Sequence, residues 1–156
     1  MKYSLLLATV IASIFIAACN KDKFTTAPQV KAKTVKPGIV IKGQVITFTS
    51  SFTDEEGDVQ DSVLVVLKRY NGANLLPPRH IDSFQMKLDP GLIPKARQGD
   101  IIVKFGYGET NLPGAGNNII NLETVDREVS FGIIIRDNAG NRSNYAESDK
   151  ILLKKL

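Results

Sequence analysis

The chain has 156 residues, 20 basic and 16 acidic, for a formal charge of +4, with one cysteine, one histidine and no tryptophan. A lone cysteine excludes an internal disulfide, and with a lone histidine it leaves too few nitrogen and sulfur ligands for a zinc site. The length suits one domain with an appendage, and no aromatic residues interleave with the basic ones, which argues against nucleic acid as a partner.

After Met1-Lys2 comes an apolar run from Leu5 to Ala18, broken only by Thr9 and Ser13. As a helix it rises about 21 Å, short of the ~30 Å hydrocarbon core, so it reads as a signal segment and not as a membrane span. Ile16-Ala17-Ala18-Cys19 resembles the lipobox of bacterial lipoproteins. That resemblance implies that residues 1–18 are a signal peptide and that the Cys19 thiolate takes a diacylglyceryl group, leaving the protein held on the membrane by a lipid anchor. The alternative is an ordinary secretory signal with Cys19 as a free thiol. Asn20 stands where an Asp tends to retain such lipoproteins at the inner membrane, which implies the cell outer membrane, with the periplasmic and surface faces both open. Residues 19–36 hold Lys21, Lys23, Lys31, Lys33, Lys36 and Thr25-Thr26-Ala27-Pro28, and read as a flexible tether. Pro37-Gly38 marks the start of the folded domain, residues 37–156.

Strand signals follow. Val45 to Phe52 alternates, with Ile46, Phe48 and Phe52 on one face. Ser62 to Tyr70 is a dense apolar run suited to a central strand buried on both sides. Ile81 to Leu88 is a weaker strand with Phe84, Met86 and Leu88 in phase. Asp100 to Tyr107 turns Ile101, Val103, Phe105 and Tyr107 to one face and Ile102 and Lys104 to the other. Glu128 to Arg136 is the clearest, with Val129, Phe131, Ile133 and Ile135 inward and Ser130, Gly132 and Ile134 outward. Lys150 to Leu156 closes the set, and Ile39 to Ile41 adds a short first strand. Turn clusters separate these runs, and no window after the signal segment has a helical period.

FTDEEGD (Phe52–Asp58) and RDNAGN (Arg136–Asn141) are similar to loop motifs of bacterial immunoglobulin-like domains, including those on outer-membrane lipoproteins. The fold expected is therefore all-β, an immunoglobulin-like antiparallel β-sandwich of about seven strands, with an antiparallel barrel as the alternative. The chain lacks the cysteine pair and buried tryptophan of antibody-type domains.

In such an order the two acidic loops share one end of the sandwich. That brings Asp54 and Asp58 near Asp137, Asn138 and Asn141, and several carboxylate and amide oxygens together suit Ca²⁺. The spacing is not that of an EF-hand, and the competing reading is that Asp54 and Asp137 cap turns while the other acids are solvated. His80 reads as a surface residue. No triad, zinc set or phosphate loop can be assembled, so catalysis is not expected and no cofactor beyond Ca²⁺ is implied. The expectation is a non-catalytic binding or scaffolding module with an envelope protein as partner. The alternative is a small-ligand or glycan binder, with the Glu109 to Thr124 loop as the lip of its site. Nothing in the sequence fixes an oligomeric state.

Overall fold

Alternation of apolar and polar residues gives each long strand one face to bury. In the computed structural model, which describes residues 25–87, 96–120 and 123–155, the strands in chain order are β1 (Gln29–Lys36), β2 (Ile39–Val40), β3 (Val45–Thr53), β4 (Val59–Asn71), β5 (Asn74–Leu75), β6 (Asp82–Lys87), β7 (Gln98–Tyr107), β8 (Asn117–Ile119), β9 (Arg127–Asp137), β10 (Ala146–Glu147) and β11 (Ile151–Leu153). The only helical element among the described residues is a 3₁₀ turn at Pro78–His80. The signal peptide, Cys19, Lys21, Lys23, Leu88 and the Asp89-Pro90-Gly91 turn lie outside the described residues.

Two sheets result. One has the order β1-β3-β7-β8; the other runs β2-β11-β9-β4-β5, with β6 also on β4 and β10 on β9. Their inner faces meet in one core, to which β3 gives Ile46, Phe48 and Phe52 and β7 gives Ile101, Val103, Phe105 and Tyr107. From the other sheet come Val63, Val65 and Leu67 of β4 and Val129, Phe131, Ile133 and Ile135 of β9. The Phe131 ring bridges the sheets, with its centroid 5.9 Å from Phe48 and 5.3 Å from Phe105. Each such buried side chain contributes about 1.5–3 kcal/mol of hydrophobic stabilisation.

The structure corrects the sequence reading at four places. Residues 29–36 are not tether: they form β1, paired antiparallel with β3 from Gln29↔Thr53 to Lys36↔Thr47. Val30 is buried while Lys31 and Lys33 face solvent, and a register shift between Ala32 and Thr34 resets the phase so that Val35 packs inward. The sheets are mixed and not purely antiparallel, since β2 pairs parallel with β11 and β7 with β8. Strand β4 is buried on its inner face alone; Leu64 and Val66, on the outer face, are half-buried. On β9 the supposed outward residues Ser130 and Gly132 are buried, because β10 and the Tyr145 ring cover them. The all-β class and the inward faces of β3, β7 and β9 are as expected.

Candidate metal centre

Asp54 follows the last residue of β3, Asp58 precedes β4, and Asp137 ends β9. The pairing of β4 with β9 brings the two loops together: Val59 lies opposite Asp137, and the register shift between Val59 and Val63 bends β4 at that point. The Asn138 N–H donates to the Asp58 carbonyl at 3.2 Å, which joins the loops directly. One carboxylate oxygen from each of Asp54, Asp58 and Asp137 then falls within 4.8 Å of the other two.

Each loop is closed by its own acid. The Asp58 N–H donates to Asp54 Oδ2 at 2.9 Å, across a Gly57 held at φ +69°. Asp137 accepts two bonds of 2.7 Å from Asn141, its N–H on Oδ1 and its amide Nδ2 on Oδ2, and the Gly140 N–H donates to the Asp137 carbonyl with φ +88°. Turn capping by Asp54 and Asp137 is therefore present, but it does not use every oxygen. Asp54 is fully buried and among the described residues its Oδ1 has no hydrogen-bond partner; Oδ1 of the half-buried Asp58 has none among them either. Like charges at this separation repel by about 3 kcal/mol per pair at an effective dielectric of 20. A buried carboxylate oxygen without a donor adds a desolvation cost.

Of the five residues expected here, the structure brings the three aspartates together. Asn138 and Asn141 are exposed; the first supplies its backbone N–H and the second orients Asp137. The centre sits where the chain enters the fold, since the Glu55 N–H donates to the Thr25 carbonyl at 3.3 Å.

Two charged clusters were not expected. Arg69, 4% exposed, donates from Nε to Glu123 Oε1 at 2.5 Å and from Nη1 to the His80 carbonyl at 3.0 Å. Its Nη2 lies 2.8 Å from Asp82 Oδ2, a close ion pair and not an aligned hydrogen bond. Burial works against the charged form of Arg69, yet Glu123 and Asp82 outweigh it and raise its pKa. The signal was available: Arg69 is in phase with Val63, Val65 and Leu67. On the outer face, Glu147 accepts from Tyr70 Oη at 2.7 Å and Ser130 Oγ at 2.5 Å and pairs with Lys68 Nζ at 2.5 Å. Burial opposes the carboxylate, but the bonds from Lys68, Ser130 and Tyr70 bring the Glu147 pKa down to about 2. Lys68 is raised in turn: burial lowers it, and Glu147 and Tyr145 more than reverse that. An ammonium held so firmly cannot serve Ser130 as a base. Tyr107 is fully buried, donating to the Lys154 carbonyl at 2.9 Å, so it offers no stacking platform.

No family model and no curated protein matches the chain. Among solved structures it is similar to the sporulation control protein Spo0M of Bacillus subtilis, at 12% identity and TM-score 0.44, covering 85% of this chain and 51% of that one. A putative late embryogenesis abundant protein is similar at 16% identity and TM-score 0.40, over 99% of this chain and 90% of that one. The DNA glycosylase AlkC of Pseudomonas fluorescens is similar at 10% identity and TM-score 0.41, over 83% and 31%. The chain thus spans about half of the first and a third of the last. Likeness of this degree identifies no activity.

Proposed function

We propose that the protein is a lipid-anchored module of the cell envelope that binds or scaffolds and does not catalyse. The observation that carries the reading is the Leu5–Cys19 stretch, an apolar run too short to span a bilayer, ending in a lipobox-like cysteine. The domain behind it is read as immunoglobulin-like. In support, β1-β3-β7 on one sheet and β2-β11-β9-β4-β6 on the other follow the order of such sandwiches, with the short β2 lying parallel to the last strand. The outer membrane is the expected site, through the Cys19 lipid. Labelled palmitate should enter the wild-type chain, and Cys19→Ser should abolish both labelling and membrane retention; label in that variant sinks the anchor. Crosslinked pull-down of the lipidated protein from envelopes should then recover a protein partner.

A second reading, a small polar ligand or glycan, draws on one groove of about 220 Å³ on the outer face of β4 and β9. Leu64 and Ile134 line it together with Gln60, Gln85, Arg136 and Arg142, whose side chains can hydrogen-bond. This is not the Glu109 to Thr124 loop expected from the sequence. A glycan-array hit without a crosslinked partner would favour it over scaffolding.

A further inference from the structure

We propose that Asp54, Asp58 and Asp137 form a calcium site that locks the base of the domain. Calcium takes six to eight oxygens at about 2.4 Å, so two ligands on opposite sides of one ion stand about 4.8 Å apart. The three carboxylate oxygens lie within 4.8 Å of one another and therefore fit a single coordination shell. An acidic cluster alone is common on protein surfaces; this one differs by burial. Asp54 is fully enclosed, with one oxygen spent on the Asp58 N–H and the other, Oδ1, unpartnered among the described residues. Asp58 Oδ1, next along the same loop, is likewise unpartnered. Among the described residues no lysine or arginine pairs with any of the three. A divalent cation in the cluster gives the buried Asp54 a positive partner and offsets the mutual repulsion.

The chemistry of the set selects the ion. All the donors are hard oxygens, and no histidine or cysteine lies in the cluster, which disfavours zinc and copper. The donors come from two loops and can bind through one or both oxygens, which suits the irregular shell of calcium more than the strict octahedron of magnesium. The half-buried Asp58 and the exposed Asn138 and Asn141 leave one side open, where water completes the shell. Bound there, the ion ties the end of β3, the start of β4 and the end of β9 at the point where Thr25 meets Glu55. The proposal does not depend on the lipid anchor, since the ligands all lie in the folded domain.

The test uses the full chain in detergent, stripped with EDTA and followed by scanning calorimetry. At about 5 mM CaCl₂, roughly ten times a dissociation constant typical of extracellular modules, Tm should rise by about 5 °C. Asp54→Asn and Asp58→Asn should each lose that rise, and Glu55→Gln, an exposed acid of the same loop, should keep it. In EDTA both Asn variants should melt at or above wild type, because each removes repulsion and at position 54 an amide oxygen still caps the turn. If Asp54→Asn fails to fold, the half-buried Asp58 carries the comparison. A wild-type Tm indifferent to Ca²⁺ overturns the site, as does a rise that survives Asp58→Asn. An equal rise with MgCl₂ at the same concentration overturns the assignment to calcium.

Discussion

Arg69 is buried on the inward face of β4, where a charge survives only through its partners. Removing Glu123 leaves a guanidinium enclosed with one ion pair and a carbonyl, and takes from Arg127 the carboxylate 3.4 Å from its Nε, leaving it the Tyr70 carbonyl. Glu123→Ala should therefore cost about 3 kcal/mol in urea unfolding, whereas Arg69→Met with Glu123→Leu should recover most of that loss, since an apolar pair has no desolvation penalty to offset. The Glu147 carboxylate works by a different balance, and its sign is set by pH. Its pKa falls from 4.5 in the unfolded chain to about 2 in the fold. A depressed carboxylate stabilises above its unfolded pKa, and that stabilisation drains away as the pH falls through the window from about 5 to 2. The difference corresponds to about 3 kcal/mol at neutral pH. Glu147→Gln should flatten that part of the stability–pH curve, measured as unfolding free energy at pH 7 and pH 2.5; an unchanged slope would mean that the acid loss arises elsewhere.

At the scale of the elements, β9 depends on a glycine for what covers it. A Cβ on Gly132 would stand 2.1 Å from the Tyr145 hydroxyl and 2.2 Å from its ring carbons. The ring also lies under Lys68, whose Nζ is 4.6 Å from its centroid. Gly132→Ala should displace Tyr145 and cost about 2 kcal/mol of overpacking, and adding Tyr145→Ala should remove part of that cost in a double-mutant cycle. Strand β1 carries a second expectation. It protects the edge of β3, and the Asn144 side chain clamps it to the opposite sheet, accepting from Val30 N–H at 2.8 Å and donating to the Val30 carbonyl at 2.9 Å. A chain begun at residue 37 should aggregate by size-exclusion chromatography, while one begun at residue 25 should run as a folded species. The inward phases of β3, β7 and β9 were legible because one face of each is almost wholly apolar, with Ser50 of β3 the one polar residue between Phe48 and Phe52. Strand β1 was not, because three lysines occupy its solvent side and the shift at Ala32/Thr34 hides its alternation. The acidic centre was legible for a topological reason: both loops adjoin strands that pair. The phase of Arg69 was legible but its partner was not, since Glu123 lies 54 residues away in sequence. Its place is set by the fold and not by any local pattern.

For the whole molecule, β1 shortens the link between the fold and the proposed anchor at Cys19. A tether running from Cys19 to Lys36 would reach about 55–60 Å when extended. The Thr25 carbonyl is already fixed to Glu55, so with Cys19 as the anchor only the residues from 19 to 25 separate lipid from fold, a reach of about 20 Å at most. On the proposed Cys19 anchor, the acidic centre would lie within that reach of the headgroups. Lys31 and Lys36 are exposed on the adjoining strand, while Lys33 is paired with Asp100 at 2.6 Å. On the proposed anchor, and within two Debye lengths of an anionic leaflet, Lys31 and Lys36 should draw the base of the domain inward. Neutron reflectometry of the lipidated protein on a supported bilayer should place the onset of protein density within about 20 Å of the headgroups. Lys31→Glu with Lys36→Glu should move that onset outward on anionic bilayers but not on neutral ones. An onset near 55 Å, about the reach of the longer tether, would mean that β1 is released from β3 on the membrane.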